Sequence, residues 1–421
     1  MIGNTIPSFE TVASVENLYC AYKKACKGKT GRDDVGEFRM KWETHLTKLS
    51  DSLLSGEYQP GRYTMFIVHE KKTRKIMATP FIDRIVHHAI CNVMTPVLER
   101  SMVPNTCANR VGRGTGEGLR LYARFAKRYR YVLKCDIRHF FPSIDRKILL
   151  DSLKRKIQDA RLLELVRTVL FVAPAISDNA PYFPGDTLFT PHERERGLPI
   201  GNMTSQTWAN WYLDPLDHFI MDFKGFGAYM RYVDDFAVFA DDKVALACLK
   251  NEIQEFLCRL RLIIHPDKSR VYRTADGVPF LGFRHWSTHR VLCKPGLRRF
   301  KRRVRQKARI AAASGDMRAL RSSIAGWSGF ARLGDTYRLR MRLREEIRGI
   351  LDKGQGGALT GVARRLVEQQ REQPPRCEPG QQQPRQLREH KGIMKRLWEQ
   401  TLLIIGMYIF SIFTTTLYFI L

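Results

Sequence analysis

A chain of 421 residues with 44% hydrophobic side chains has the length and core material for two or three packed domains. A formal net charge of +29 sets it apart from an ordinary metabolic enzyme and predicts a polyanionic partner, nucleic acid first and an anionic membrane second; a generally basic, solvated surface is the plainer alternative. Nine cysteines without a CxxC pair argue against a disulfide framework and a zinc ribbon, so the thiols are expected to be reduced and the compartment cytosolic.

The opening "MIGNTIPSFETVASVENLYC" lacks the basic start and apolar run of a signal peptide. Residues 8 to 55 show apolar side chains at helical spacing, in "VENLYCAYKKA" and "FRMKWETHLTKLSDSLLSG", and Gly56 ends the pattern. "RYTMFIVHEKKTRKIMATP" predicts two strands joined by the charged turn Glu70 to Thr73. A helix follows in "FIDRIVHHAICNVMTPVLERSM", where His87 and His88 lie among apolar residues and are expected to be structural. "NRVGRGTGEGLRL" is a glycine-rich lead into another helix, and its glycines match neither the P-loop nor the dinucleotide pattern.

"RYVLKCDIRHFFPSID" predicts a strand running into a loop, then a helical stretch over 146 to 172 and a Pro- and Gly-rich loop to about 198. "TSQTWANWYLDPLDHFIMDF" predicts an apolar helix, and "AYMRYVDDFAVFA" a strand, a tight turn and a strand. "KVALACLKNEIQEFLCRLRL" reads as an amphipathic helix and "GVPFLGFRHW" as a strand or hairpin. From Arg298 to Arg348, sixteen Lys or Arg stand against four Asp or Glu on helical periodicity. Residues 353 to 390 include "EQPPRCEPGQQQPRQ", a polar linker with no core to bury. The last stretch, "TLLIIGMYIFSIFTTTLYFIL", carries no charge, and as a helix of about 31 Å it would cross a bilayer's hydrocarbon core. Lys391, Lys395, Arg396 and Trp398 precede it, which fits a tail anchor at 401–421 that tethers a cytoplasmic body to the inner face of a membrane. A buried docking helix and an incidental extension are the alternatives.

Three aspartates carry the chemistry. Asp234 and Asp235 are adjacent in a strand-rich run, and adjacent carboxylates repel each other and resist desolvation. Asp136 closes the strand "YVLKCD". Each could be a plain turn residue. Together, two strands of one sheet ending in carboxylate can converge on two Mg²⁺ ions, or Mn²⁺ in their place. Such ions take few carboxylates, several waters and substrate phosphate oxygens. They would activate an attacking 3′-hydroxyl and stabilise leaving pyrophosphate.

In this order the chain resembles reverse transcriptases, from roughly residue 60 to residue 350. "EKKTRKIMATPFIDRIVHHAICN" looks like the fingers segment, "LKCDIRHFFPSID" like the first palm aspartate motif and "RYVDDFAVFADD" like the second. "IIHPDKS" resembles the segment with the palm lysine, "PFLGFR" the primer grip, and the basic helices from 296 to 350 a thumb. The resemblance implies an α+β right-hand polymerase fold. Its parts are an N-terminal helical extension (1–59), fingers (60–130), palm with fingers insertions (131–295), thumb (296–350), polar linker (351–400) and apolar tail (401–421). "GLPIGNMTSQ" occupies the place where group II intron and many retroviral-type enzymes carry Gln-Gly-x-x-x-Ser-Pro. The Ile-Gly-x-x-x-Ser-Gln pattern found here resembles the reverse transcriptases of diversity-generating retroelements. Those enzymes copy a template-repeat RNA with errors opposite adenine, and the cDNA replaces a variable region of a target gene. "NRVGRGTGEGL" and "SIAGWSGFARLGDTYRL" also look like that family, whereas maturase, HNH and RNase H segments are not seen.

What the resemblance implies for single residues follows. Asp136, Asp234 and Asp235 bind the metals. Phe141 blocks a ribose 2′-OH, unless it is an ordinary core phenylalanine. Lys72, Arg74 and Arg84 grip the triphosphate, unless they are a solvated hairpin tip and its neighbour. Gly201 lets backbone approach the nucleotide, and Ile200 and Gln206 shape its pocket, with ordinary packing as the alternative. Lys268 protonates pyrophosphate or is simply solvated. Phe280, Leu281 and Gly282 hold the primer end or form a plain core strand. Arg298, Arg299, Arg302 and Arg303 contact phosphates without reading bases. Partners expected are template RNA, primer and cDNA product, dNTPs, a small basic accessory protein as in the family, and the membrane through 401–421. A phage-defence reverse transcriptase and a non-catalytic nucleic-acid-binding protein are the competing functions.

Overall fold

The computed structural model describes residues 6–29, 31–69, 73–174 and 181–356; the side chains of 69, 73, 74 and 353–356 are not among those described. The chain divides into two compact units, Met1–Arg110 with Val132–Val271, and Val111–Tyr131 with Tyr272–Leu421. Both mix helix and sheet.

In the first unit, helices Phe9–Ala13, Val15–Cys26, Asp33–Met40 and Trp42–Ser55 fill the expected 8–55 segment. Ser8 and Ser14 cap the first two, their hydroxyls accepting from the N–H groups of Thr11 and Asn17. Gly56 closes the last at φ 80°, the left-handed conformation a helix C-terminus favours. Aromatic packing ties these helices to Phe81–Ser101: the rings of Tyr22 and Phe38 lie 6.3 and 5.2 Å from Phe81, edge to face. Strands β1 (Thr64–His69) and β2 (Thr73–Ala78) pair antiparallel, Thr64 opposite Ala78.

His87 and His88 take the structural place expected of them. Burial lowers His87 to about 3, with His88 and Arg84 adding to the shift, and lowers His88 to about 4, with Lys29, Lys24 and Arg84 adding; His87 Nδ1 lies 3.1 Å from Thr204 Oγ1. Both imidazoles are therefore neutral in the fold. Their contribution to stability is complete above the unfolded value near 6.5 and is lost as pH falls from there toward 4 and 3. The melting temperature should fall steadily below pH 6.5, and neither ring should titrate by NMR between pH 8 and 5.

A four-stranded sheet lies largely in the first unit. Its strands are β3 (Tyr131–Asp136), β4 (Tyr229–Tyr232), β5 (Asp235–Ala240) and β6 (Arg270–Arg273), in the order β4-β5-β3-β6. β4 and β5 are antiparallel, with Tyr232 opposite Asp235, so only Val233 and Asp234 make the turn. Helix Lys243–Arg259 buries Leu246, Leu249, Ile253 and Leu257 along one stripe.

Two expected helices are interrupted. The stretch 146–172 forms Arg146–Lys154 and Ala160–Phe171, because the Asp159 carboxylate accepts from the N–H groups of Arg161 and Leu162 and starts a new helix. The stretch 204–223 forms Met203–Tyr212, Asp214–His218 and a π-helical turn Phe219–Phe223. Pro215 has no N–H to continue the first helix and sits in the opening turn of the second.

The second unit holds helix Thr115–Arg128, strands β7 (Val278–Phe280), β8 (Phe283–His285) and β9 (Arg290–Leu292), and helices Lys294–Ser314, Arg318–Ala331 and Tyr337–Gly356. Phe300, Val304, Ala308 and Ala311 share one helical stripe and pack with Leu320, Leu343 and Ile347. A second cluster joins Leu119, Phe283, Leu292 and Ala331. No described helix is long and apolar enough to cross a membrane. Residues 70–72 of the expected turn, 357–400 of the expected polar linker and the apolar tail 401–421 lie outside the described residues, while 351–356, assigned to the linker, continue the helix Tyr337–Gly356 instead.

Candidate active site

Asp136 stands at the end of β3 and is buried. Its backbone is stitched to the segment 263–269. His265 N–H donates to Asp136 O at 2.7 Å, Arg138 N–H to Ile263 O at 2.8 Å, and Asp136 N–H to Ser269 Oγ at 3.3 Å. That segment thereby brings Lys268 to the site, and its amine pairs with the Asp136 carboxylate. Asp234 and Asp235 arrive on the turn between β4 and β5, and β5 lies next to β3 in the sheet. The three aspartates predicted to act together are thus at the ends of neighbouring strands. Val233, β-branched, adopts φ 58° in this turn. Such a conformation costs on the order of 1–3 kcal/mol and persists only where the surroundings enforce it.

Burial pushes Asp234 up to about 7, with the charges of Asp235 and Asp136 adding to the shift. Burial pushes Asp235 up to about 6, helped by Asp136 and opposed by Lys134 and Lys268. Lys134 Nζ lies 4.0 Å from Asp235 Oδ1. The strand period places Lys134 on the same face of β3 as Asp136. Lysine ammonium groups thus stand against two of the three carboxylates, and the remaining repulsion falls on Asp234. This is a site short of positive charge and furnished with hard oxygen donors, which suits Mg²⁺ or Mn²⁺. Among the described residues no group of three or more His, Cys, Asp or Glu side chains is placed to hold a metal ion by itself. Mg²⁺ commonly takes one or two carboxylates and completes its shell with water and substrate phosphate, so the donor set fits.

Phe141 is half-buried, its ring 5.5 Å from that of buried Phe140. Its carbonyl accepts from Leu198 N–H at 2.9 Å, and Gly197 N–H donates to Ile144 O at 2.8 Å. These bonds lay the segment leading to Ile200, Gly201 and Gln206 alongside the Phe141 loop. Gly201 has φ 122°, and a Cβ there would meet Ile76 and Met77 O only at 3.8 Å, so backbone conformation rather than crowding calls for glycine. Ile200 and Gln206 are half-buried.

Arg84 belongs to a different cluster. Its Nε donates to Thr79 O at 3.2 Å, and burial, then Arg32, lowers it to about 10. Its charged neighbours are Lys29, Arg32 and Asp34 rather than the aspartates. Lys72 lies outside the described residues, as does the Arg74 side chain, whose backbone pairs with Val68. The other predicted residues are in the second unit. Phe280 is buried and stacks on Tyr122 at 4.8 Å, while Leu281 and Gly282, at φ 44° and 82°, form the two-residue turn between β7 and β8. A Cβ on Gly282 would lie 2.8 Å from the Phe330 ring. Arg298, Arg299, Arg302 and Arg303 are exposed on helix Lys294–Ser314, without an ion-pair partner among the described residues.

Sequence reasoning passed over Lys134 and Arg231. The first could have been found from the period of two along β3. The second carried only the signal of a charge inside an apolar strand.

A sheet whose neighbouring strand ends present three carboxylates, in a strongly basic chain, is the arrangement of a nucleic-acid polymerase. The family model of reverse transcriptase (RNA-dependent DNA polymerase) matches residues 67–285, just over half of the chain. The chain therefore belongs to the reverse transcriptase family and is an RNA-directed DNA polymerase by class. It is 24% identical to protein YkfC of Escherichia coli (strain K12) over 279 residues, 57% of this chain and 70% of YkfC. It is 24% identical to the group II intron-encoded protein LtrA of Lactococcus lactis subsp. cremoris over 212 residues, 50% of this chain and 33% of LtrA. The mitochondrial nuclear intron maturase 2 of Arabidopsis thaliana is 24% identical over 177 residues, 37% of this chain and 24% of that protein. The chain thus spans a third or less of the two intron proteins. Among solved structures, telomerase from Candida albicans aligns with 74% of this chain and 65% of its own, at 9% identity and a TM-score of 0.43, too loose a likeness to carry a conclusion.

Proposed function

We propose that this chain extends a primer on template RNA from dNTPs by two-metal nucleotidyl transfer, and that it does so as the error-prone polymerase of a diversity-generating retroelement. The carrying observation is the meeting of Asp136 with Asp234 and Asp235 on adjacent strands, opposed by Lys268 and Lys134. Asp136, Asp234 and Asp235 are the donors that would hold Mg²⁺ or Mn²⁺, which when bound activates the 3′-hydroxyl and offsets charge on leaving pyrophosphate. Lys268, held against Asp136, is positioned to turn to the pyrophosphate once that carboxylate has another partner. The first unit then supplies fingers and palm, and the basic helices of the second a thumb. The test is extension of a DNA primer annealed to RNA by the purified chain with Mg²⁺; no extension over a range of primers would remove the proposal.

Phe141 is the ribose gate in this account. A half-buried ring can be cut back without emptying the core, so Phe141→Ala should fold and should incorporate rNTPs about ten- to a hundredfold better relative to dNTPs, a loss of about 1.4–2.7 kcal/mol of discrimination. Single-nucleotide insertion with each substrate measures it. Unchanged exclusion of rNTPs means that another side chain is the gate.

The diversification role rests on Ile200 and Gln206, which flank the Gly201 bend where related enzymes carry Gln and Pro. A loosely held base narrows the difference between right and wrong nucleotides, and about 1.4 kcal/mol changes error frequency tenfold. Sequenced cDNA from a defined RNA should show errors concentrated opposite adenine. Changing Ile200 to Gln and Gln206 to Pro together should reduce them about tenfold. Equal error at all four bases points to another reverse transcriptase lineage.

A further inference from the structure

Arg231 lies wholly buried on β4, two residues before Val233. All five of its N–H donors are used. Nε and Nη2 donate to the two oxygens of Asp217 at 2.7 and 2.5 Å. Nη2 also donates to Asn210 O at 3.0 Å and Nη1 to Asn210 Oδ1 at 3.2 Å. The remaining Nη1 hydrogen reaches Val233 O at 3.1 Å. Asp217 is completed from its other side by the Tyr229 hydroxyl at 2.5 Å and Thr106 Oγ1 at 3.0 Å. The Arg231 backbone is itself fixed, N–H to Asn105 O at 3.1 Å and O to Cys107 N–H at 2.9 Å.

Charge neutrality alone would be met by Asp217. The guanidinium does more, because its planar fork spans three elements at once. It joins the short helix Asp214–His218 to the helix Met203–Tyr212, on which Asn210 lies one turn beyond Gln206, and both to the turn that carries Asp234. The carbonyl it grips belongs to the one turn residue in a left-handed backbone conformation, Val233. We propose that Arg231 is a positioning residue: by holding the Val233 carbonyl it sets the Asp234–Asp235 turn in fixed register with the helix that begins at the nucleotide pocket. This rests on the polymerase assignment above and deepens it.

The test uses the full chain and two variants, with two readouts. Arg231→Lys keeps a cation against Asp217 but loses the fork and the reach to Val233 O. Thr106→Val removes one bond from the far side of Asp217 and leaves the guanidinium in place. Hydrogen exchange by mass spectrometry over peptides covering 229–237 should speed up about tenfold or more in Arg231→Lys, with helix Lys243–Arg259 unchanged. Primer extension by the same variant should lose about tenfold or more in kcat while KM for dNTP stays within about twofold. Thr106→Val should melt earlier with turn exchange and kcat as in the parent. Unchanged turn exchange in folded Arg231→Lys overturns the proposal whatever the activity, and an equal loss of kcat in Thr106→Val overturns it too. A loosened turn in a chain that extends no primer supports the positioning role and counts against the polymerase assignment instead. If Arg231→Lys does not fold, Arg231→Gln combined with Asp217→Asn removes the fork and its reach to Val233 O without leaving a buried unpaired charge, and an unchanged turn there is equally decisive against it.

Discussion

Asp234→Asn should abolish RNA-templated primer extension, lowering kcat by about three orders of magnitude or more, which corresponds to about 4 kcal/mol of lost transition-state stabilisation. Asparagine has nearly the shape of aspartate, so the turn, the Tyr232 and Asp235 pairing and the Val233 conformation have no steric reason to change. What disappears is charge. Burial, with the charges of Asp235 and Asp136, pushes Asp234 up to about 7, above Asp235 at about 6. Removing that repulsion should leave the variant melting no lower than the parent, while its affinity for Mg²⁺ falls. An inactive chain of undiminished stability is the signature of a residue kept for chemistry at a cost to the fold. The measurements are single-turnover extension, thermal melts and binding of the annealed primer and RNA, which should be retained. Undiminished extension by Asp234→Asn would falsify the assignment of this turn.

Much of the first unit was legible in the sequence because its signals are local. Gly56 stops a helix where the periodic pattern ends, and the spacing of Leu246, Leu249, Ile253 and Leu257 declares a single buried stripe. The aspartate motifs could be read because each sits at a strand end, where an acidic residue interrupts an apolar run. The breaks at Asp159 and Pro215 carried local signals too, a capping carboxylate and a missing N–H, which apolar periodicity overrode. What sequence could not supply was pairing at a distance. Lys268 reaches Asp136 only because the segment 263–269 is bonded backbone to backbone along the end of β3. Arg84, grouped with Lys72 and Arg74 by proximity in the chain, is turned toward Lys29, Arg32 and Asp34 by its place on helix Phe81–Ser101. Arg231 and Asp217 are separated by a π-helical turn and a strand, and nothing in either neighbourhood announces the other.

Affinity for single-stranded RNA should fall by about two to three decades between 50 and 200 mM salt if about six phosphates are neutralised, each contributing about −0.7 to the log–log slope. The charge comes from the second unit, where helix Lys294–Ser314 turns its apolar stripe of Phe300, Val304, Ala308 and Ala311 inward. Arg298, Arg299, Arg302 and Arg303 are therefore left on its solvent side, with no ion-pair partner among the described residues. Arg305, by contrast, is engaged by Glu346. Unpaired guanidinium groups on a rigid helix lose no existing salt bridge on meeting phosphate, and they offer planar donors suited to its oxygens. Because phosphates are alike in every sequence, the four should contribute affinity without base preference. Replacing Arg298 and Arg302 by Gln should make the slope shallower by about 1.4 and weaken homopolymers of different bases alike. Replacing Arg305 should change the slope less, since its charge is already shared. Fluorescence anisotropy titrations over a salt series measure both. A slope shallower than about −1 for the parent would mean that the basic helices of this unit do not carry the RNA contact.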